Sequence, residues 1–225
     1  GTEVYVGGVT ATVVDQLESM GANLPLLGLT VGTATFVLLF LAFGSVLLPI
    51  KAIVMNLLSL TATFGAVVLL FQDGLGAGAL GFTSTGSIAP AMPILMLALL
   101  FGISMDYEVF LLSRVRERWE LTGDNTLAVV GGLQRTGAII TSAALLFVVV
   151  IGAFATSGIT FIKMVGIGMV IAIVVDATIV RALLVPATMR LMGQANWWAP
   201  GPLARLHRRY GIHETELPVR ARYPR

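Results

Sequence analysis

Gly102-Ile103-Ser104-Met105-Asp106-Tyr107-Glu108-Val109-Phe110-Leu111-Leu112-Ser113-Arg114 is the stretch on which the fold turns. It closes a run that carries no charged residue from Gly74 to Met105, and it sets two carboxylates and a phenol at that run's end. Asp106 and Arg114 are eight residues apart, or ~12 Å of helix at ~1.5 Å per residue. Arg114, Arg116 and Arg118 mark where such a helix leaves a bilayer, so Asp106 lies well inside the hydrocarbon. A carboxylate at that depth costs at least ~2.5 kcal/mol on insertion scales, so it must face protein or water and is a functional candidate by default.

Outward from that stretch the chain keeps the same character. Its 225 residues are 56% hydrophobic and 12% charged, against ~25% charged in an ordinary soluble domain. The mean hydropathy is +0.91. The excess falls in blocks long enough for a bilayer, which takes ~20 apolar residues. The expectation is an all-α polytopic membrane protein with five transmembrane helices, at about 26–48, 52–71, 88–113, 137–155 and 161–184. The absence of cysteine excludes disulfides and thiolate metal sites. Gly1 and the lack of a cleavable signal pattern suggest a piece of a longer protein.

Residues 1–24 have the most soluble character. Glu3–Val6 alternates like a short strand, Gly7-Gly8 breaks it, and Val9–Met20 has helical spacing. Asn23-Leu24-Pro25 then opens the first span. Pro49-Ile50-Lys51 reads as a tight reversal into the second. Gln72–Ser87 is a Gly-rich loop whose one charge is Asp73, and Pro90 and Pro93 fit the first turns of the third span. The polar segment Arg114–Arg135 predicts a short interfacial helix at Thr126–Gln134, capped by Asp124 or Asn125. The brief loop Thr156–Thr160 separates the last two spans. Residues 190–225 form a basic tail, and Trp197-Trp198 suits an interface belt. Of the fourteen Lys and Arg residues, Lys163 alone falls toward the face that carries Asp73. The positive-inside rule then puts the tail in the cytoplasm and residue 1 outside.

Two readings of Asp106 stand side by side. It is a structural carboxylate paired with a Lys or Arg, or it is a protonation site whose affinity for protons is raised by desolvation. Tyr107 can donate to or accept from a partner, but consecutive helical residues point ~100° apart, so the two suit a reciprocal arrangement with another helix. Phe110, one turn on, covers the face of Asp106 or simply packs there. Glu108 points elsewhere and is expected to reach Arg135 or Arg181. Asp176 and Arg181, five residues apart, do not face one another on an α-helix, so each is expected to pair across helices. Thr141 and Ser142 can hydrogen-bond to Asp106 or serve as ordinary interhelical contacts. Gly102, Gly166 and Gly168 allow close helix approach.

The quoted stretch resembles the signature of the MMPL family of the RND superfamily, the mycobacterial membrane protein Large transporters. The similarity is to the C-terminal half of the mycolate-lipid exporters and their actinobacterial relatives. Val6-Gly7-Gly8, Gln72-Asp73-Gly74, Gln134-Arg135-Thr136-Gly137, Asp176-Ala177 through Arg181 and Pro186-Ala187 match as well. The resemblance implies twelve spans in two pseudo-repeated halves, each with an extracytoplasmic porter domain. The chain then comprises a porter-domain remnant (1–24), spans eight to twelve (25–189) and the tail (190–225). It further implies proton-motive-force-driven export of lipids or other hydrophobic molecules across the cytoplasmic membrane. Asp106 and Tyr107 match one of two Asp-Tyr pairs that form the proton relay, and Phe110 matches the neighbouring aromatic of the inhibitor-binding pocket. Glu108, Arg135, Asp176 and Arg181 are candidates for a charge network, with Thr141 and Ser142 around the relay. Partners on this reading are protons, a lipid or hydrophobic substrate, the membrane and the N-terminal half; no cofactor, metal, nucleic acid or enzymatic step is called for.

Two other function classes stay open from the residues. An intramembrane aspartyl protease would use Asp106 and Asp176 as its dyad, although Ile103-Ser104-Met105-Asp106 departs from the Gly-x-Gly-Asp pattern of such enzymes. A sterol-sensing or receptor-type RND relative would keep the spans without transport.

Overall fold

The structure, a computed structural model, describes residues 7–84, Gly86, Ile88 and 91–211. Among them, five helical stretches are long and apolar enough to cross a membrane: Val9–Phe43, Leu47–Gln72, Met92–Thr122, Asn125–Thr156 and Thr160–Trp197. The chain is an all-α polytopic membrane protein. Helix α1 spans Val9–Phe43, α2 Leu47–Val67, the short α3 Ala77–Leu80, α4 Ala91–Thr122, α5 Asn125–Gly152, α6 Thr160–Val175, α7 Val185–Met192 and α8 Gly201–Tyr210. Two segments wind as π-helix, Val68–Gln72 after α2 and Asp176–Leu184 between α6 and α7. The strand expected over Glu3–Val6 and the last fourteen residues of the basic tail lie outside the described residues.

Several element boundaries differ from the sequence expectation. Pro25 does not open a helix; α1 runs through it. A proline removes one ladder donor, but the apolar stretch after it must satisfy its backbone internally in lipid, and the preceding turns continue the same ladder. At 35 residues α1 is ~52 Å long, well beyond the ~30 Å of a hydrocarbon core, so part of it stands outside the bilayer. The reversal after α1 lies at Gly44–Val46 rather than at Pro49–Lys51. Gly44 takes φ +62 and returns its N–H to Phe40 O at 2.8 Å. Ser45 Oγ accepts from the N–H groups of Leu47 and Leu48 at 3.2 and 3.4 Å and donates to Asn196 O at 2.5 Å. Pro49 therefore sits in the first turn of α2, where proline's missing N–H is harmless, and Lys51 follows it in the helix.

The polar segment after Arg114 is not a loop with a separate interfacial helix. Helix α4 extends to Thr122, and α5 runs unbroken from Asn125. The break between them is Gly123, at φ +65, and Asp124. Asp124 is the expected cap: its carboxylate accepts from Thr126 and Leu127 N–H at 2.7 and 3.0 Å. At this end Trp119 stacks on Trp197 at 4.6 Å, with the Arg116 guanidinium 5.5 Å from both rings. Trp198 is exposed, as an interface residue would be. At the opposite end Lys163 Nζ donates to Leu80 O at 2.6 Å and Gly81 O at 3.3 Å, tying the Gly-rich loop to α6.

Packing follows the membrane pattern of small residues where backbones meet. A Cβ on Gly166 would come within 2.7 Å of Ala155 N and 2.9 Å of the Phe154 carbonyl carbon, and one on Gly168 within 2.5 Å of Met96 Cε. Both glycines thus admit close approach as expected, whereas Gly102 has open space around it. Leu39, Phe43, Leu48, Leu112, Val115 and Met189 build a buried core at the arginine-rich end; Val67, Phe71, Met92, Met96 and Met164 build another at the Lys163 end. Leu57, Leu58, Leu145, Leu146, Val149 and Val150 are exposed and suit a lipid-facing surface. Because the neighbour of Gly166 is backbone and cannot rotate away, Gly166→Ala is expected to cost the full-length protein about 1–3 kcal/mol, read as a lowered unfolding midpoint in detergent.

Candidate functional site

Helix α4 presents different chemistry on opposite sides. Ser104 and Glu108, one turn apart, are both buried, at 2% and 5% exposure. Asp106, roughly 200° around the helix from Ser104, is exposed. One side of α4 faces α2 and the last span; the other faces away from the five-helix unit.

The buried side forms a polar knot. Ser104 Oγ donates to Asn56 Oδ1 of α2 at 2.5 Å and lies 3.2 Å from Asp176 Oδ1. Arg181 Nε donates to Asp176 Oδ2 at 2.7 Å, and Arg181 Nη2 donates to the Ser104 carbonyl and, at 3.0 Å, to its Oγ. Asp176 and Arg181 therefore pair with each other, against the expectation of separate partners. In an α-helix residues five apart are ~140° out of line. Asp176–Leu184 winds as π-helix, whose i→i+5 hydrogen bonds bring such residues onto one face. The sequence signal was present as two charges five apart inside an apolar span, and it misleads only if α geometry is assumed.

Glu108 does not meet Arg135. Its electrostatic neighbours are Lys51 first and then Arg181, with Asp176 opposing them. Lys51 is buried on α2, and neither Lys51 Nζ nor Glu108 Oε1 makes a hydrogen bond among the described residues. The two influence one another electrostatically with no hydrogen bond or ion pair joining them among the described residues. Asn56, Ser104, Glu108, Asp176 and Arg181 share a cavity of about 10 Å³, close to the room one water occupies. Arg135 instead lies 3.4 Å from Glu117, which Arg114 also holds at 2.9 Å, on the exposed surface. Lys51, Asn56 and Ser104 are the members that sequence reasoning missed. An asparagine inside an apolar span was the legible clue.

Tyr107 links the two sides of α4. Its ring lies 5.1 Å under the Arg181 guanidinium and meets Phe147 of α5 edge-on at 6.5 Å. Asp106 beside it makes no hydrogen bond or ion pair among the described residues: Arg181 is committed to Asp176 and Ser104, and Lys163 to Leu80 and Gly81. Thr141 and Ser142 are exposed on α5 and do not reach Asp106. Phe110 is half-buried one turn below Asp106, with the Arg114 guanidinium 5.8 Å from its ring centroid. The geometry separates Asp106 from Asp176, whose oxygens are taken by Arg181 and Ser104, so the two carboxylates do not form a dyad. Among the described residues no cluster of His, Cys, Asp or Glu could hold a metal ion.

A profile of the MMPL family matches residues 1–220. The chain belongs to the MMPL family. Among relatives, a Streptomyces coelicolor protein designated SCO6666 is 50% identical over 94% of this chain and 30% of its own length. The trehalose monomycolate exporter MmpL3 of Mycolicibacterium smegmatis is 44% identical over 100% of this chain and 22% of its own length. The heme uptake protein MmpL11 of Mycobacterium tuberculosis is 42% identical over 91% of this chain and 21% of its own length. The chain thus spans less than a third of these relatives.

The polar knot carries its own test. Arg181→Ala leaves Asp176 buried without its cation and is expected to cost about 3–5 kcal/mol. A double-mutant cycle with Asp176→Ala, followed by unfolding in detergent, should show a coupling of roughly 0.5–3 kcal/mol. Additive losses would separate the two side chains energetically.

Proposed function

We propose that this chain is the C-terminal membrane portion of a proton-motive-force-driven exporter of lipids or other hydrophobic molecules in the cytoplasmic membrane. Asp106 and Tyr107 supply half of its proton relay. The observation that carries the reading is Asp106 itself: an exposed carboxylate on a membrane-spanning helix, with no cation or hydroxyl bonded to it among the described residues. Lipid cannot accept a carboxylate there, so that face belongs against further protein, here an N-terminal half contributing a second Asp-Tyr pair. In such a shared site one carboxylate can take up a proton as the other releases it. Tyr107, packed between Arg181 and Phe147, would couple the protonation state of Asp106 to the buried knot.

The exporter named among the relatives supports lipid cargo. Two relatives of similar identity bear names with different cargo, trehalose monomycolate and heme. That contrast supports placing cargo selection in segments outside these spans, while the spans supply the drive. Residues 1–24 would then be the end of a porter domain and the basic tail would lie in the cytoplasm, as the positive-inside rule requires.

Asp106→Asn in the full-length protein is expected to abolish energised transport of trehalose monomycolate or a lipophilic dye in membrane vesicles, with insertion and abundance unchanged. Tyr107→Phe should lose less. Full activity of the Asn variant would remove Asp106 from the relay. For topology, a cysteine at Gly76 should react with an impermeant thiol reagent from outside, and one at Thr122 only after permeabilisation; the reverse pattern would invert the orientation.

A further inference from the structure

Beyond the spans, α8 has no part in the knot or at Asp106, yet its composition is sharply divided. Taken at ~100° per residue, Leu203, Leu206, His207 and Tyr210 fall on one side and Arg205, Arg208 and Arg209 on the other. His207 anchors the helix. Its ring meets Phe40 edge-on at 6.0 Å, and a Cβ on Gly44 would lie 2.8 Å from it, so the left-handed glycine ending α1 also makes room for α8. That contact sets the level of α8. Arg116 of α4 donates to the carbonyl of Phe43, so α8 lies beside the point where the C-terminal end of α1 meets the arginine-rich end of α4.

At that level α8 leaves apolar and basic groups uncovered together. Leu206 is 44% exposed, Tyr210 59% and Trp198 54%. Arg205, Arg208 and Arg209 are exposed and have no carboxylate partner among the described residues. No Asp or Glu occurs in the sequence between Asp176 and Glu214. A helix of this type parallel to a bilayer surface sinks its apolar side toward the acyl chains and sets its cations among the headgroups. Uncompensated positive charge beside a membrane favours anionic over zwitterionic lipid, by about fivefold for each Arg near the surface.

We propose that α8 is an anionic-phospholipid-binding surface: Leu206, Tyr210 and Trp198 enter the interface, and Arg205, Arg208 and Arg209 hold phosphate headgroups of the leaflet next to Phe40 and Gly44. Three arginines give roughly a hundredfold preference for an anionic surface. The site fastens the last span and its tail to the leaflet independently of what the transporter carries.

The test uses the full-length protein with an environment-sensitive fluorophore on Leu206→Cys, reconstituted in phosphatidylcholine vesicles with or without phosphatidylglycerol. A second preparation, labelled at Leu145→Cys on the exposed face of α5, controls for insertion and should be quenched by spin-labelled lipid throughout. At Leu206, lipid quenching is expected to rise several-fold when phosphatidylglycerol is added. The triple change Arg205→Gln, Arg208→Gln, Arg209→Gln should remove the rise, and the corresponding triple Lys variant should restore it. Equal quenching with and without phosphatidylglycerol overturns the proposal, as does failure of the Lys variant to restore it. So does quenching by aqueous iodide alone, which places α8 in water, or protection from both quenchers, which places it against protein.

Discussion

The Asp176–Arg181 ion pair is the constraint on which the arrangement of these helices depends. It closes within one helix at 2.7 Å, but Arg181 also donates to Ser104 of α4, which in turn donates to Asn56 of α2. Three spans are thereby referred to one guanidinium. In lipid, apolar side chains give little preference for one helix neighbour over another, because lipid tails are equally apolar. A buried pair is weak evidence for net stability, since desolvation offsets most of the Coulomb gain. Its stronger effect here is on register: any slip of the last span by one residue would carry Asp176 and Arg181 together away from Ser104 of α4.

That register needs the π-helix. A continuous α-helix through Asp176–Leu184 would point the two charges ~140° apart and leave two buried ions unpaired, each costing several kcal/mol. Winding the segment as π is poorer backbone geometry, and π-turns are rare and cluster at functional sites. The ion pair and the π-turn therefore stabilise each other, and neither is explicable alone.

How far the sequence was legible follows from the same physics. Membrane insertion depends on composition over ~20 residues, so the five spans are readable from apolar blocks. The Asp124 cap is readable because it needs a side chain only two or three residues away. Helix ends were harder. Pro25 and Pro49-Lys51 carry turn-forming signals, but the demand for internal backbone hydrogen bonds in lipid overrides the first, and Gly44 with Ser45 places the turn before the second. Of the neighbours of Glu108, Arg181 was among those expected, but Lys51 was not readable. Lys51 is fifty-seven positions away in the chain, and the residues between carry no mark of which helix packs beside which. Arg135 is nearer in sequence and lies at the surface with Glu117. For Asp106, its place on a membrane-spanning helix and the lack of a cation bonded to it were legible, while the exposure of Thr141 and Ser142 depended on how α5 is rotated against α4.

The division of α4 connects the two sites. Ser104 and Glu108 face the buried charges and Asp106 faces outward, so one rigid helix carries a fixed anchor on one side and an unpaired carboxylate on the other. Tyr107 lies between these faces, with Arg181 over its ring at 5.1 Å. In the proposed relay, a proton gained or lost at Asp106 would alter the field at the Tyr107 ring and, through it, at the guanidinium that holds α2, α4 and the last span together. A helix that was polar on one side only could bind protons or brace its neighbours. With both faces occupied, the proposed relay would pass from the first event to the second across α4 without any long-range rearrangement, because the distance involved is the width of a single helix.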